Sequence, residues 1–173
     1  MIIRQPQRTR GRRGSAVVEA ALTLTVFCLL LFGVFEYCRY LFVLHMADLA
    51  AREAVRYATV NSDKPANFDT VNFTDASGKV YKSVTQYTKD KLGGVDKQLV
   101  GYTVAVFAVD PVFLAQTPPV VQAKTGAGVA WNTAGFPDRL AVKITGTFKP
   151  FLPNLTQMPT LPVNVIALSG VEG

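Results

Sequence analysis

The chain is poor in the side chains that carry covalent and metal chemistry. Its 173 residues include one histidine, two cysteines and one tryptophan. His45 has no second histidine or nearby cysteine to complete a metal site, so it reads as a helix-surface or packing residue. Lys124-Thr125-Gly126 matches a fragment of penicillin-binding enzymes, but the Ser-x-x-Lys partner that chemistry needs is missing. There is no phosphate loop and no Gly-x-Ser-x-Gly elbow. Asp63, Asp69, Asp75, Asp90, Asp96, Asp110 and Asp138 are dispersed among turn-like stretches and read as solvated loop and cap residues. Nothing assembles a nucleophile, a base and an orienting group. The sequence therefore points away from an enzyme and implies no cofactor and no metal.

Acidic residues are missing from residues 1–14, which hold Arg4, Arg8, Arg10, Arg12 and Arg13. Without that leader, 13 basic groups face 12 acidic ones, so the net charge of +6 belongs almost wholly to the N-terminus. No basic face remains to neutralise phosphates, which argues against a nucleic-acid partner. Basic residues directly before an apolar run read instead as a topology signal retained in the cytoplasm.

Charge is next missing from the sixteen residues between Glu19 and Glu36. With Ala16–Val18, this run reaches the roughly twenty residues needed to cross a bilayer. No proline or turn cluster follows until Asn61-Ser62-Asp63-Lys64-Pro65. The spacing predicts one helix from Ser15 to about Ala58, about 65 Å long, roughly twice the hydrocarbon thickness. Its second half must project from the membrane. Glu36, Tyr37, Arg39 and Tyr40 form a polar and aromatic collar at the transition, with Glu36 and Arg39 one turn apart and able to pair. Beyond it, Ala47, Ala51, Ala54 and Ala58 form a small-residue face that lets another element approach closely. Asp48 precedes Arg52 in the favourable i,i+4 order.

Cys28 and Cys38 lie on this helix about 15 Å apart, beyond disulfide reach. They read as buried small apolar residues, with an intermolecular disulfide as the alternative. A cleaved signal peptide would fit the leader and apolar run, but no Ala-x-Ala-like site precedes the collar and strong helix formers follow. A retained anchor fits better.

Glu19 is costly in this setting. An ionised carboxylate near the membrane core costs about 2.5–3.5 kcal/mol, and snorkelling toward the cytoplasmic face reduces that. An interfacial Glu near Arg12 and Arg13 is one reading. The other starts from a cut between Gly14 and Ser15, which makes Glu19 the fifth residue and gives Ser15 an α-ammonium. Pairing the two, within a chain or between neighbours, neutralises both and sets axial register.

The ordered set Arg13-Gly14-Ser15-Ala16-Val17-Val18-Glu19, apolar helix, Gly33, Glu36 and Ala51-Arg52-Glu53-Ala54-Val55-Arg56-Tyr57-Ala58 resembles the type IV pilin-like proteins. In particular it resembles the TadE-like minor pilins or pseudopilins of the Tad (Flp) pilus machinery. The resemblance covers residues 13–58, about a quarter of the chain. It implies cleavage after Gly14 by a prepilin peptidase. It also implies partnership with other pilin or pseudopilin subunits, the inner-membrane assembly platform and the lipid bilayer. The N-terminus would lie in the cytoplasm, with the head outside the cytoplasmic membrane or in the extracellular pilus. Two positions depart from the family habit. Ala20 follows Glu19 where Tyr is common, and Thr25 stands where a proline often does, implying a straighter helix. The competing reading is an uncleaved single-pass anchor presenting a partner-binding domain.

The domain plan is thus a leader 1–14, a helix 15–58 and an α+β head 59–173. Thr59–Ser77 reads as an irregular connection. Val80, Val84, Tyr87 and Lys91-Leu92 suggest a helix from about Gly78 to Leu92, stopped by Gly93-Gly94. Leu99–Val109 is apolar on both faces and reads as a buried strand ended by Pro111. Gln116–Gly128 is a loop or short hairpin. Arg139–Lys149 alternates, with Leu140, Val142, Ile144, Gly146 and Phe148 inward, and Ala141, Lys143, Thr145, Thr147 and Lys149 outward. Pro150–Asn154 is a turn, and Leu161–Leu168 a last strand with Pro159 and Pro162 at its start. Trp131 reads as a core residue, with an exposed contact role as the alternative. The tripeptides Asn72-Phe73-Thr74 and Asn154-Leu155-Thr156 match a glycosylation sequon without further support. The expected fold class is α+β: a long membrane-spanning helix packed on a small antiparallel-sheet head.

Overall fold

In the computed structural model, residues 12–116, 118, 120–124, 130–133, 139–151 and 160–170 are described. Most of the leader, the residues 125–129 and 134–138 around Trp131, and most of the Pro150–Asn154 turn lie outside them. So do Pro159, the Asn154 sequon and part of the Gln116–Gly128 stretch.

The backbone of the chain is α1, Arg12–Val60, an unbroken helix of 49 residues and about 74 Å. Thr25 keeps its N–H in the ladder, and its Oγ1 donates to the Ala21 carbonyl at 2.8 Å. The helix ends where Asn61 caps it: Asn61 N reaches the Tyr57 and Ala58 carbonyls at 3.2 Å, and its side-chain amide donates to Tyr57 O at 2.8 Å. Pro65 then leaves the helical path.

The two halves of α1 meet different surroundings. Val17, Val18, Leu22, Leu24, Val26, Phe27, Leu29 to Phe32, Val34 and Phe35 are exposed around the whole circumference. From Val43 onward one stripe is buried: Val43, Ala47, Ala50, Ala51, Ala54, Val55 and Ala58. Their helical spacing keeps them on one face. The alanines let α1 lie close against the head. The two cysteines correct the sequence expectation. Cys28 is only half-buried, within the apolar half of α1, and Cys38 is exposed, lying between Glu36 and Arg39 but outside the latch they form with the head.

The head begins with a small hairpin, β1 (Phe73–Thr74) and β2 (Val80–Tyr81), followed by α2 (Val84–Leu92). The helix predicted from Gly78 is shorter than expected. Asp75 Oδ1 accepts from Ser77 N at 2.9 Å and Lys79 N at 3.0 Å, and Gly78 takes φ +84°. This turn pairs Val80 and Tyr81 with Phe73 and Thr74, so Val80 belongs to a strand. Ser83 then caps α2, its Oγ accepting from Gln86 N at 3.2 Å. Val84, Thr88 and Leu92 bury one face of α2, and Gly93 in the left-handed region stops it.

The main sheet is an antiparallel meander, β3 (Leu99–Val109), β4 (Arg139–Phe148) and β5 (Leu161–Gly170), with β4 central. β3 spans the expected residues but is an edge strand. Val100 is exposed, and only Leu99, Ala108 and Val109 are buried. Its alternation is masked in the sequence because the outward positions also carry apolar side chains. A register shift after Val100, at Gly101 with φ +66°, forms a bulge. Near the other end, Lys124 N donates to Ala108 O at 2.8 Å and Asp110 N to Gln122 O at 3.0 Å, which partly covers the edge. A short helix, α3 (Pro111–Leu114), follows β3.

On β4, Leu140, Val142, Ile144 and Phe148 are buried as expected, and Ala141, expected outward, is buried too. Pro162 lies in β5, an edge strand, where a missing N–H is tolerated. α1, α2 and the inner face of β4 and β5 enclose one apolar cluster. Trp131 is part of it, buried with its indole N–H donating to Ala66 O at 2.7 Å. The arrangement is an α+β fold, a long N-terminal apolar helix on a small antiparallel-sheet head.

Gly146 marks a close approach inside that layer. A Cβ there would sit 3.1 Å from Leu99 Cβ, which is tied to the β3 backbone and cannot swing away. Gly146→Ala should therefore lower the stability of the full chain by about 1–3 kcal/mol, read as a lower midpoint in denaturant titrations followed by Trp131 fluorescence.

Candidate functional site

Two carboxylates bracket the uncharged part of α1, and the helix places them about 25 Å apart along its axis. Glu19 lies one turn after Ser15 on the same face, and both are exposed. Ala16, Ala20, Thr23, Leu24 and Phe27 surround Glu19 in a shallow, mostly apolar depression. Gly14 and Ser15 are in the first turns of α1. A glycine in a helix costs about 1 kcal/mol relative to alanine, so the junction sits in a weak, terminal part of the helix. Among the described residues, none of the head lines the depression around Glu19.

Glu36 is different: its side chain is 3% exposed. Arg39 Nη1 donates to both of its oxygens, at 3.0 and 3.2 Å. The backbone N–H of Phe151 donates to Oε1 at 2.8 Å. Arg39 Nη2 donates onward to Gln98 Oε1 at 3.1 Å, and the guanidinium lies over the rings of Phe148 at 5.1 Å and Phe151 at 4.9 Å. Lys149 N donates to Gln98 O at 2.9 Å, joining the two head segments that meet α1 here. The Glu36 and Arg39 side chains therefore form a latch between α1, the end of β4 and the start of β3. A collar position predicts their adjacency but not this burial. Gln98 and Phe151 are 59 and 115 residues from their partners, and no local periodicity marks such contacts.

Ala47, Ala51, Ala54 and Ala58 are all fully buried against the head. Asp48 and Arg52 pair at 3.0 Å on the exposed side. His45 is exposed. At the far end of α1, Tyr57 stacks on Tyr87 at 4.1 Å and donates to Lys82 O at 2.8 Å. Burial raises the Tyr57 pKa, and the neighbouring Tyr87 adds to the effect, so the phenol remains a donor. The Lys82 ammonium bonds Asp90 and holds that carboxyl below its usual range. These contacts fix the tilt of α2 on α1. Among the described residues, no group of three or more His, Cys, Asp or Glu could hold a metal ion.

Fold and site together define a class: a helix capable of spanning a membrane, carrying a small α+β head latched to its second half. A family model described as TadE-like protein matches residues 14–56. That span starts at the Gly14–Ser15 junction, includes Glu19 and Glu36, and stops within α1. The match covers about a quarter of the chain and makes α1 similar to the helix of that family. No curated protein and no solved structure matches the chain.

The latch is testable by a double-mutant cycle. Glu36→Ala leaves a half-buried guanidinium without its carboxylate and should destabilise the chain by about 3 kcal/mol. Replacing both partners, Glu36→Leu with Arg39→Met, should recover most of that loss. Chemical denaturation in detergent of the parent chain, Glu36→Leu, Arg39→Met and the double variant measures the coupling.

Proposed function

We propose that this chain is a minor pilin or pseudopilin of a Tad (Flp) type IV pilus, inserted through α1 as a structural component or assembly factor. The observation that carries this reading is the contrast along α1. Residues 16–35 are apolar on every side and none of them is buried among the described residues, yet their first turns carry the exposed carboxylate Glu19. A helix that only anchors a head has no use for that charge. A helix that leaves lipid to stack among like helices does, because Glu19 finds an ammonium there. The TadE-like match over residues 14–56 supports the same reading.

In this proposal the Arg-rich leader stays in the cytoplasm and the head lies outside the inner membrane. A prepilin peptidase cuts between Gly14 and Ser15. Glu19 then pairs with the α-ammonium of Ser15 on a neighbouring subunit, and the assembly platform draws the helix from the bilayer. The other subunits meet the bare half of α1, while Ala47, Ala51, Ala54 and Ala58 are already occupied by the head of their own chain.

Mass spectrometry of the protein extracted from membranes tests the processing step. A mature chain beginning at Ser15 is expected where the peptidase is present, and an intact Met1 start there would contradict it. The register role has its own test. Glu19→Ala should leave cleavage and membrane insertion intact and abolish recovery in the sheared pilus fraction, read by immunoblot; undiminished recovery would remove the pairing argument.

A further inference from the structure

The latch region opens outward into a cavity of about 340 Å³ lined by Arg39, Lys97, Gln98, Lys149, Pro150 and Phe151. Three features of this pole go together. First, it is basic. Glu36 already compensates Arg39, whereas the Lys97 and Lys149 ammonium groups, both on exposed residues, form no ion pair among the described residues. Second, it carries an apolar tip. Phe151 is 78% exposed although its backbone N–H is fixed to Glu36. Third, its level along α1 is fixed. The Phe151–Glu36 hydrogen bond holds this tip beside the residue that ends the apolar run, and the twenty residues from Ala16 to Phe35 rise about 30 Å, one hydrocarbon thickness.

We infer that this pole of the head is a membrane-docking surface. Phe151 enters the boundary of the acyl layer, and Lys97 and Lys149 contact the phosphates of anionic lipids in the leaflet from which α1 emerges. The inference rests on α1 spanning the bilayer. Two lysines with no carboxylate partner among the described residues, beside an exposed aromatic ring, match the charge and polarity gradient of a lipid interface. Arg39 is placed behind them, its guanidinium held between the Phe148 and Phe151 rings, and so supports the Phe151 ring from below. Docking holds the head upright on α1 before assembly, and extraction of the helix must release it.

The test uses the full chain reconstituted in vesicles, with Phe151→Trp as the probe and brominated acyl chains as the quencher. The parent chain, whose Trp131 is buried in the head, supplies the background. In phosphatidylglycerol-containing vesicles the F151W emission should shift to the blue and be quenched. Near an anionic leaflet each lysine contributes roughly fivefold to the docked-to-undocked ratio. K97Q/K149Q should therefore lower that ratio by roughly 25-fold, and high salt or pure phosphatidylcholine should lower it as well. Equal quenching in K97Q/K149Q and in the parent lysine background would overturn the lipid contact, as would no quenching in any vesicle. Flotation of the same samples separates the two levels of the argument. Chains that float with vesicles yet show no quenching overturn the docking inference alone. Chains that fail to float overturn the membrane-spanning reading beneath it.

Discussion

The Glu36 carboxylate is the point on which the rest of the molecule turns. It is buried, yet it follows sixteen uncharged residues of α1 of which none is buried among the described residues. Burying an ion is tolerable only where donors replace water. Arg39, one turn along α1, and the Phe151 N–H do so, and the second is available only when the end of β4 lies against α1. The carboxylate thus fixes where along the helix the head sits. A shift by one turn would take the Phe151 N–H away from Glu36 and move the alanine face out of register with β4 and β5.

From that point one helix serves two surroundings. Toward the N-terminus it shows apolar side chains all round, a surface suited to lipid or to other apolar helices. Toward the C-terminus it becomes amphipathic, and small residues bring the sheet and α2 close to its backbone. The latch keeps the two regimes apart and leaves the N-terminal half unencumbered. In the proposed function this separation is what allows the helix to exchange lipid for neighbouring subunits while the head remains folded.

Much of this was legible in the sequence, and the reasons differ by element. The absence of charge and proline from residue 20 to residue 35 announced α1, since a run of that length has few other uses. Strict alternation announced β4. The β5 bounds read from the sequence agree within two residues: the start at Leu161 is the same and the strand extends to Gly170. Two other elements misled. Val80 fell at helical spacing from Val84, but the Asp75 turn and Gly78 override that pattern. The outward face of β3 is apolar, so its edge position could not be read from alternation. The usual burial of free thiols is a habit of globular cores, and it does not hold for Cys28 and Cys38 on a helix whose apolar half is exposed. Gln98 and Phe151 were invisible because their partners are brought in by the meander, and nothing near them in the chain signals it.

The two native cysteines offer the most direct measurement of where the proposed boundary falls. Cys28 lies within the bare apolar segment and Cys38 half a turn past Glu36. In intact vesicles a membrane-impermeant maleimide should label Cys38 and spare Cys28, with Cys28 becoming reactive only after denaturation. Labelling of Cys28 in intact vesicles at the rate of Cys38 would contradict a membrane boundary at Glu36.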